Sequence, residues 1–207
     1  MPSDGSKSGR ETSPVEASRS EARKADQELM DRVAHGDAQA FQQLVDAGID
    51  RVTSVARRML GDDAEAEDIA QEVFLRLWRQ AEKWDGGRAQ VSTWLYRVTV
   101  NSCIDRLRGR REDTVEELPE VRGEATQQQK LEEGDLQEYV DRAMQKLPER
   151  QRMALALFHY ENLSMSDVAE TMDISVEAVE SLLARGRRTL KQSLKSHWTA
   201  YLPDAPE

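Results

Sequence analysis

The chain has 207 residues, of which 38% are hydrophobic, 33% charged and only 5% aromatic, a balance that suits one or two small, polar, helix-rich domains with modest cores. No apolar run approaches the ~20 residues that span a bilayer, and the Ser-, Gly- and Glu-rich start lacks the apolar stretch of a secretory signal, so no membrane insertion is expected and the cytosol is the expected compartment. A single cysteine, Cys103, excludes an internal disulfide, and three scattered histidines make no metal-ligand pattern, so no metal or other cofactor is expected.

The net charge of −10 argues against general affinity for nucleic acid, but its distribution matters more than its sum. Residues 112–138 hold ten acidic side chains against Arg122 and Lys130. The flanking regions are near neutral, with basic clusters at 106–111 and 185–195. Local basic patches are compatible with DNA binding by an acidic chain.

In chain order, residues 1–25 carry almost no large apolar side chain and are expected to be a disordered tail. From Asp26 on, Leu29, Val33, Phe41, Leu44, Val45, Ile49, Val52, Val55 and Met59 fall at helical spacing. Gly36 is expected to end a first helix and Asp37 to cap a longer second one. Gly61 then stops that helix and Asp62 caps the next, with Glu65 three residues on in the pattern of a capping box. Ile69, Val73 and Leu77 recur every four residues with Phe74 and Trp78 beside them, so this third helix has an apolar face. Trp84-Asp85-Gly86-Gly87-Arg88 breaks it. Ser92 is expected to restart a helix that carries Trp94, Tyr96 and Asn101 and finishes in Arg106, Arg108, Arg110 and Arg111.

The first domain is thus a compact set of about four helices over residues 26–111, and no segment has the period-two alternation of a strand. Two readings of 62–111 stand side by side. One is a helical hairpin whose aromatics are core and whose arginines merely favour the negative end of a helix dipole. The other is a surface for single-stranded or distorted DNA, where arginines neutralise phosphates and aromatic faces receive unstacked bases.

Residues 112–135, with Pro119, Gly123, Gln127-Gln128-Gln129 and the acidic run, read as a mobile linker, with 127–133 able to join a helix. A second domain is expected over 136–195, followed by a tail at 196–207. In it Pro148 suits a first helical position, ahead of Met153, Leu155, Leu157 and Phe158 for packing. Residues 163–185 have a helix-turn-helix pattern. Ser164 caps a short helix, small Ala169 permits close approach, and Asp173 takes the turn position that needs a positive φ. Ile174 plugs the core, Ser175 caps the second helix, and Val179 and Leu183 face inward. Helical hairpins with these residues also occur as pure structure.

Two groups of residues carry a family resemblance. Asp68-Ile69-Ala70-Gln71-Glu72-Val73-Phe74, then Trp94-Leu95-Tyr96-Arg97, then Asn101 and Asp105 ahead of the arginine run, resemble the second conserved region of bacterial RNA polymerase sigma factors. Leu147-Pro148-Glu149-Arg150, the helix-turn-helix and Arg185-Gly186-Arg187-Arg188 resemble the fourth region of the same family. The short chain resembles its extracytoplasmic-function group.

The resemblance implies an all-α chain of two small helical domains joined by an acidic linker, acting as an alternative sigma factor in a stress or envelope response. Its partners would be core RNA polymerase, through the beta and beta-prime subunits, promoter DNA, and in some members an anti-sigma factor. The helix 68–79 would dock on core polymerase through Asp68, Gln71, Glu72 and Arg76. The loop 84–91 and the helix after it would recognise and melt the −10 element through Trp84, Arg88, Trp94, Arg97 and Asn101, with Trp94 and Asn101 near unpaired bases, and Arg106, Arg108, Arg110 and Arg111 on phosphates. The helix 176–195 would enter the major groove at the −35 element. There Ser175, Glu177, Ala178, Glu180, Ser181 and Ala184 would face base edges, with Arg185, Arg187 and Arg188 on phosphate or base. The linker would thread the polymerase near its RNA exit path.

This chain departs from the common family pattern where it has Glu180 and Leu182, at places many members fill with Lys or Arg. Glutamate accepts from cytosine N4 but repels phosphate; Leu182 is either a packing residue or part of a partner surface. The rival reading is a stand-alone helix-turn-helix regulator that binds duplex operator DNA by itself, and a third is a protein-interaction adaptor. An enzyme is not expected: the chain has no P-loop, HExxH, cysteine cluster or nucleophile elbow.

Overall fold

The computed structural model describes residues 14–86, 89–116 and 133–201. Among them every regular element is helical: α1 (Pro14–Ala34), α2 (Ala38–Leu60), α3 (Asp63–Gln80) with a short 3-10 turn at Ala81–Lys83, α4 (Val91–Glu116), α5 (Glu133–Gln145), α6 (Glu149–Leu155), which widens into a π-helical turn at Ala156–Tyr160, α7 (Met165–Met172) and α8 (Val176–Tyr201). Residues 1–13 of the expected tail, most of the expected linker and residues 202–207 lie outside the described residues, as do Gly87 and Arg88 of the loop and the side chain of Arg111.

The punctuation read from the sequence sets most boundaries. Gly36 and Gly61 adopt φ +84° and +71°, the left-handed conformation that ends a helix without a Cβ clash. Asp37 accepts from Gln39 N and Ala40 N, and Asp62 from Glu65 N. Asp173 sits at φ +52° between α7 and α8, as its turn position requires. Ser164 accepts from Asp167 N and Ser175 from Ala178 N.

Four expectations are corrected. First, helix α1 begins at Pro14, ahead of Asp26, so residues 14–25 are helical; Pro at the first helical position and the Glu-, Ala-, Arg- and Lys-rich stretch behind it favour helix. Second, the capping box at Asp62 closes on one side only, because the Glu65 carboxylate pairs with Arg110 of α4. Third, α4 starts at Val91 rather than Ser92, and the Val91 N–H is taken by the Asp26 carboxylate of α1. Fourth, Pro148 is the residue before α6, with ψ 138°, rather than its first member.

In the first domain α2 lies against both α3 and α4, burying Leu44, Val52, Val55, Met59, Ile69, Val73, Leu77, Leu95 and Val100. In the second, α8 packs on α6 and α7 around Met153, Leu155, Leu157, Val168, Val179 and Leu183. These side chains form one continuous core, because the end of α2 also meets α5 and α6. Cys103 is fully buried and burial pushes its thiol up to about 12, so it behaves as a small apolar residue rather than a reactive thiolate.

The seam between the domains is polar and specific. Arg152, 6% exposed, donates to Met59 O at the end of α2 and to the Gln145 side chain. Its other nitrogen donates to Gln145 O at 2.8 Å and Leu147 O at 3.2 Å. Gln145 Nε2 donates to Arg58 O at 2.8 Å. The wide turn after α6 brings Tyr160 under the Arg58 guanidinium, 3.8 Å from the ring centroid. Beside it, Tyr96 of α4 donates its hydroxyl to Glu161 at 2.9 Å. Burial, and then the Glu161 carboxylate, raise the Tyr96 phenol far above its ordinary value.

Candidate nucleic-acid interface

The helix-turn-helix places α8 on the outside of the second domain. Val179 and Leu183 point inward, while Ser175, Glu177, Glu180, Ala184, Arg185, Arg187 and Arg188 are exposed and Ala178 and Ser181 half-buried. Eight of the nine side chains expected at base edges or phosphates therefore lie along one accessible helix, and the ninth, Ser175, caps it. Arg185 donates to Ser181 Oγ at 2.6 Å, a local bond that orients the guanidinium along the helix. Arg187 lies near the Phe158 ring and donates Nε–H to His159 Nε2 at 3.1 Å. That bond needs a neutral imidazole, and burial first, then the Arg187 charge, holds the histidine below its usual range. Leu182 is half-buried and packs on the core, which resolves its departure from the family pattern as packing.

The first domain divides its arginines. Arg97 and Arg108 are exposed, and Arg106 and Arg110 half-buried. Arg110 is turned inward, paired with Glu65 and donating to Leu60 O at 3.4 Å, so it fastens α4 to α3. Arg97 donates to Glu170 O of α7 at 2.7 Å, across the domain seam. Asn101 is exposed on α4. Trp84 and Trp94 are half-buried and meet edge to face, 6.2 Å between centroids. The Trp84 indole nitrogen is buried with no hydrogen-bond partner among the described residues, an unused donor beneath the loop. Aromatic pairing, exposed amide and exposed arginines thus coincide on the α4 side of the first domain.

A separate face is presented by α3. Asp68, Gln71 and Arg76 are exposed, and Glu72 is half-buried and paired with Arg76 one turn on. Arg76 also reaches Ser102 of α4 at 3.2 Å. Sequence reasoning overlooked Leu75, which lies on this same face and is 56% exposed. Its signal was available, since Leu75 is out of phase with the buried stripe of Ile69, Val73 and Leu77. Trp78, expected on the apolar face, is 40% exposed and rests edge-on against Phe41.

A helical module whose last helix carries a run of arginines, followed by a helix-turn-helix with an open basic second helix, defines a two-module DNA-binding protein. Residues 44–112 match the family described as Sigma-70 region 2, and residues 137–190 the one described as Sigma-70, region 4. The ECF RNA polymerase sigma factor SigW of Bacillus subtilis is 32% identical over 79% of this chain and 94% of its own length. The RNA polymerase sigma-H factor of Pseudomonas aeruginosa is 32% identical over 82% of this chain and 94% of its own. The solved structure of CnrH in complex with the cytosolic domain of CnrY shares the fold, with a TM-score of 0.64, 23% identity and coverage of 83% of this chain and 98% of that one. The chain belongs to the sigma-70 family, as an RNA polymerase sigma factor of the extracytoplasmic-function group.

Proposed function

We propose that this sigma factor binds core RNA polymerase through the outer face of α3 and directs initiation by reading a −10 element with the loop 84–91 and α4 and a −35 element with α8. The observation that carries this division is the presence of both modules in one chain, each with its expected contact helix on the surface. Asp68, Gln71, Glu72 and Arg76, together with Leu75, form the polymerase face. Trp84, Arg88, Trp94, Arg97, Asn101, Arg106, Arg108 and Arg111 form the −10 set. Arg110 belongs to the helix-packing framework, given its pairing with Glu65. Ser175, Glu177, Ala178, Glu180, Ser181, Ala184, Arg185, Arg187 and Arg188 form the −35 set. The polymerase makes the bonds and this chain performs no catalytic step. It works in the cytosol, in a stress or envelope response, and an anti-sigma protein is a natural further partner. Among the described residues no helix is long and apolar enough to cross a membrane. The domain limits of this reading are 26–111 and 136–195, with helix α1 reaching ahead of the first and the acidic stretch between them as the tether.

The isolated chain binds duplex DNA weakly in this scheme. Its net charge of −10 lowers general phosphate attraction, and Arg97 and Tyr96 are engaged with the second domain. The test is transcription from a promoter library with core polymerase, alongside binding of the protein alone to the same duplexes. Promoter-selective transcripts only in the presence of both proteins are expected. Tight, specific duplex binding by the chain alone, with no transcription when core is added, would refute the reading in favour of a stand-alone regulator.

A further inference from the structure

One turn of α1 holds both Gly86, after the 3-10 turn, and Val91, at the start of α4. Gly86 N–H donates to Gln27 Oε1 at 2.7 Å, and Val91 N–H, the first of α4, donates to Asp26 Oδ2 at 2.7 Å. Adjacent side chains of a helix some sixty residues away in sequence therefore anchor the point where the chain leaves the 3-10 turn and the point where it enters α4. The Gln27 amide is itself oriented, since its Nε2 donates to Asp31 Oδ1 at 2.7 Å, which turns Oε1 toward Gly86. The fit is close at the glycine: a Cβ there would stand 2.7 Å from Gln27 Oε1 and 3.4 Å from the carbonyl of Arg23. Burial raises the Asp26 carboxyl, against the lowering effect of the Val91 N–H.

We propose that Asp26 and Gln27 are positioning residues for promoter recognition: they fix Gly86 and Val91, the two ends of the segment 86–91, and so the −10 sequence that the chain accepts. The proposal rests on the assignment of that segment to the −10 element. A side chain that only stabilises the fold would, when removed, weaken transcription from all promoters together. A positioning clamp acts on −10 discrimination and leaves −35 discrimination alone.

The test uses the full chain with core polymerase, on one promoter library randomised at −10 and another at −35. Gln27→Ala and Asp26→Ala are each expected to reduce discrimination at −10 by roughly two- to thirtyfold, the range of a lost helix-capping bond, with unchanged −35 preference. Asp26→Asn keeps an acceptor for Val91 N–H and should behave as wild type. Gly86→Ala disturbs the same contact from the other side, so the double variant with Gln27→Ala should be no worse than the more affected single. Amide exchange at Gly86 and Val91 gives a readout independent of transcription, and should accelerate in Gln27→Ala and Asp26→Ala respectively. Wild-type exchange rates in those variants, or faster exchange with −10 preference intact, would overturn the proposal. So would a parallel loss of −10 and −35 discrimination. Failure of the wild-type chain to direct any promoter-selective transcription would instead refute the underlying assignment, and would be visible before any variant is compared.

Discussion

Replacing Arg152 with Met tests the seam between the two domains. The guanidinium supplies donors to four oxygens: Met59 O, Gln145 O, Leu147 O and the Gln145 side chain. Methionine keeps most of the apolar stem and removes every donor. Each acceptor left buried without a partner costs about 1–3 kcal/mol, but two effects reduce the total. Removing the charge also removes its own desolvation cost of several kcal/mol, and water reaches helix-end carbonyls more easily than mid-helix ones. A net loss of about 2–4 kcal/mol is expected, the acceptor costs less these two offsets, a large part of the ~5–15 kcal/mol that holds a typical domain folded. Urea unfolding followed by far-ultraviolet dichroism measures it, as a fall in midpoint at a slope that is constant or lowered by uncoupling of the domains. Arg152→Lys should fall between the two, because a single ammonium cannot match a planar fork of donors. A change of less than about 1 kcal/mol in Arg152→Met would show that the Arg152 hydrogen bonds contribute little at the seam and refute the assignment.

Three further outcomes follow from the exposed faces. Leu75→Glu should lower affinity for core polymerase about tenfold or more, as loss of a central apolar contact does at an interface, while leaving the melting midpoint unchanged because the side chain is 56% exposed; unaltered core affinity in a pull-down titration, and in Glu72→Lys as well, would remove α3 as the docking face. In a randomised −35 library, Glu180→Lys should change the preferred sequence by the ~1–3 kcal/mol of a base contact, whereas Arg185→Ala should weaken all promoters together and flatten the salt dependence by about one phosphate. An unchanged −35 preference in Glu180→Lys would place that residue on some other surface. For His159, the folded protein holds the imidazole below its ordinary value through burial and then Arg187, so the unfolded chain takes up the proton first. The stabilising contact is present above the ordinary pKa near ~6.5 and lost as pH falls through the lower folded value. Arg187→Ala should move the His159 titration upward in an NMR series, and an unmoved titration would contradict the Arg187 contribution.

Local chemistry made much of the molecule legible in the sequence. Helix stops at Gly36 and Gly61, caps at Asp37, Asp62, Ser164 and Ser175, and the left-handed turn at Asp173 each depend on a few neighbouring residues, so their sequence signals survive folding. The apolar stripes of α2 and α3 and the inward Val179 and Leu183 follow from helical period alone. The resemblance to both sigma regions placed the contact helices in order, and periodicity around Val179 and Leu183 identified which side of α8 faces outward.

What the sequence by itself determined is therefore the all-α class, most helix ends, the two modules and their order. The tertiary structure decided which polar side chains work across long separations. Arg152 reads as one more charge behind Leu147-Pro148, yet it is buried and joins the end of α2 to the second domain. Glu65 has the spacing of a capping-box partner, but Arg110, remote in the chain, takes its carboxylate. Ser92 reads as the restart of the helix, yet α4 opens at Val91, whose N–H is taken by Asp26 of another helix. The physical reason is the same in each case. A hydrogen bond or ion pair depends on distance and direction in space, and only the packing of helices on a shared core brings these distant groups within about 3 Å of one another.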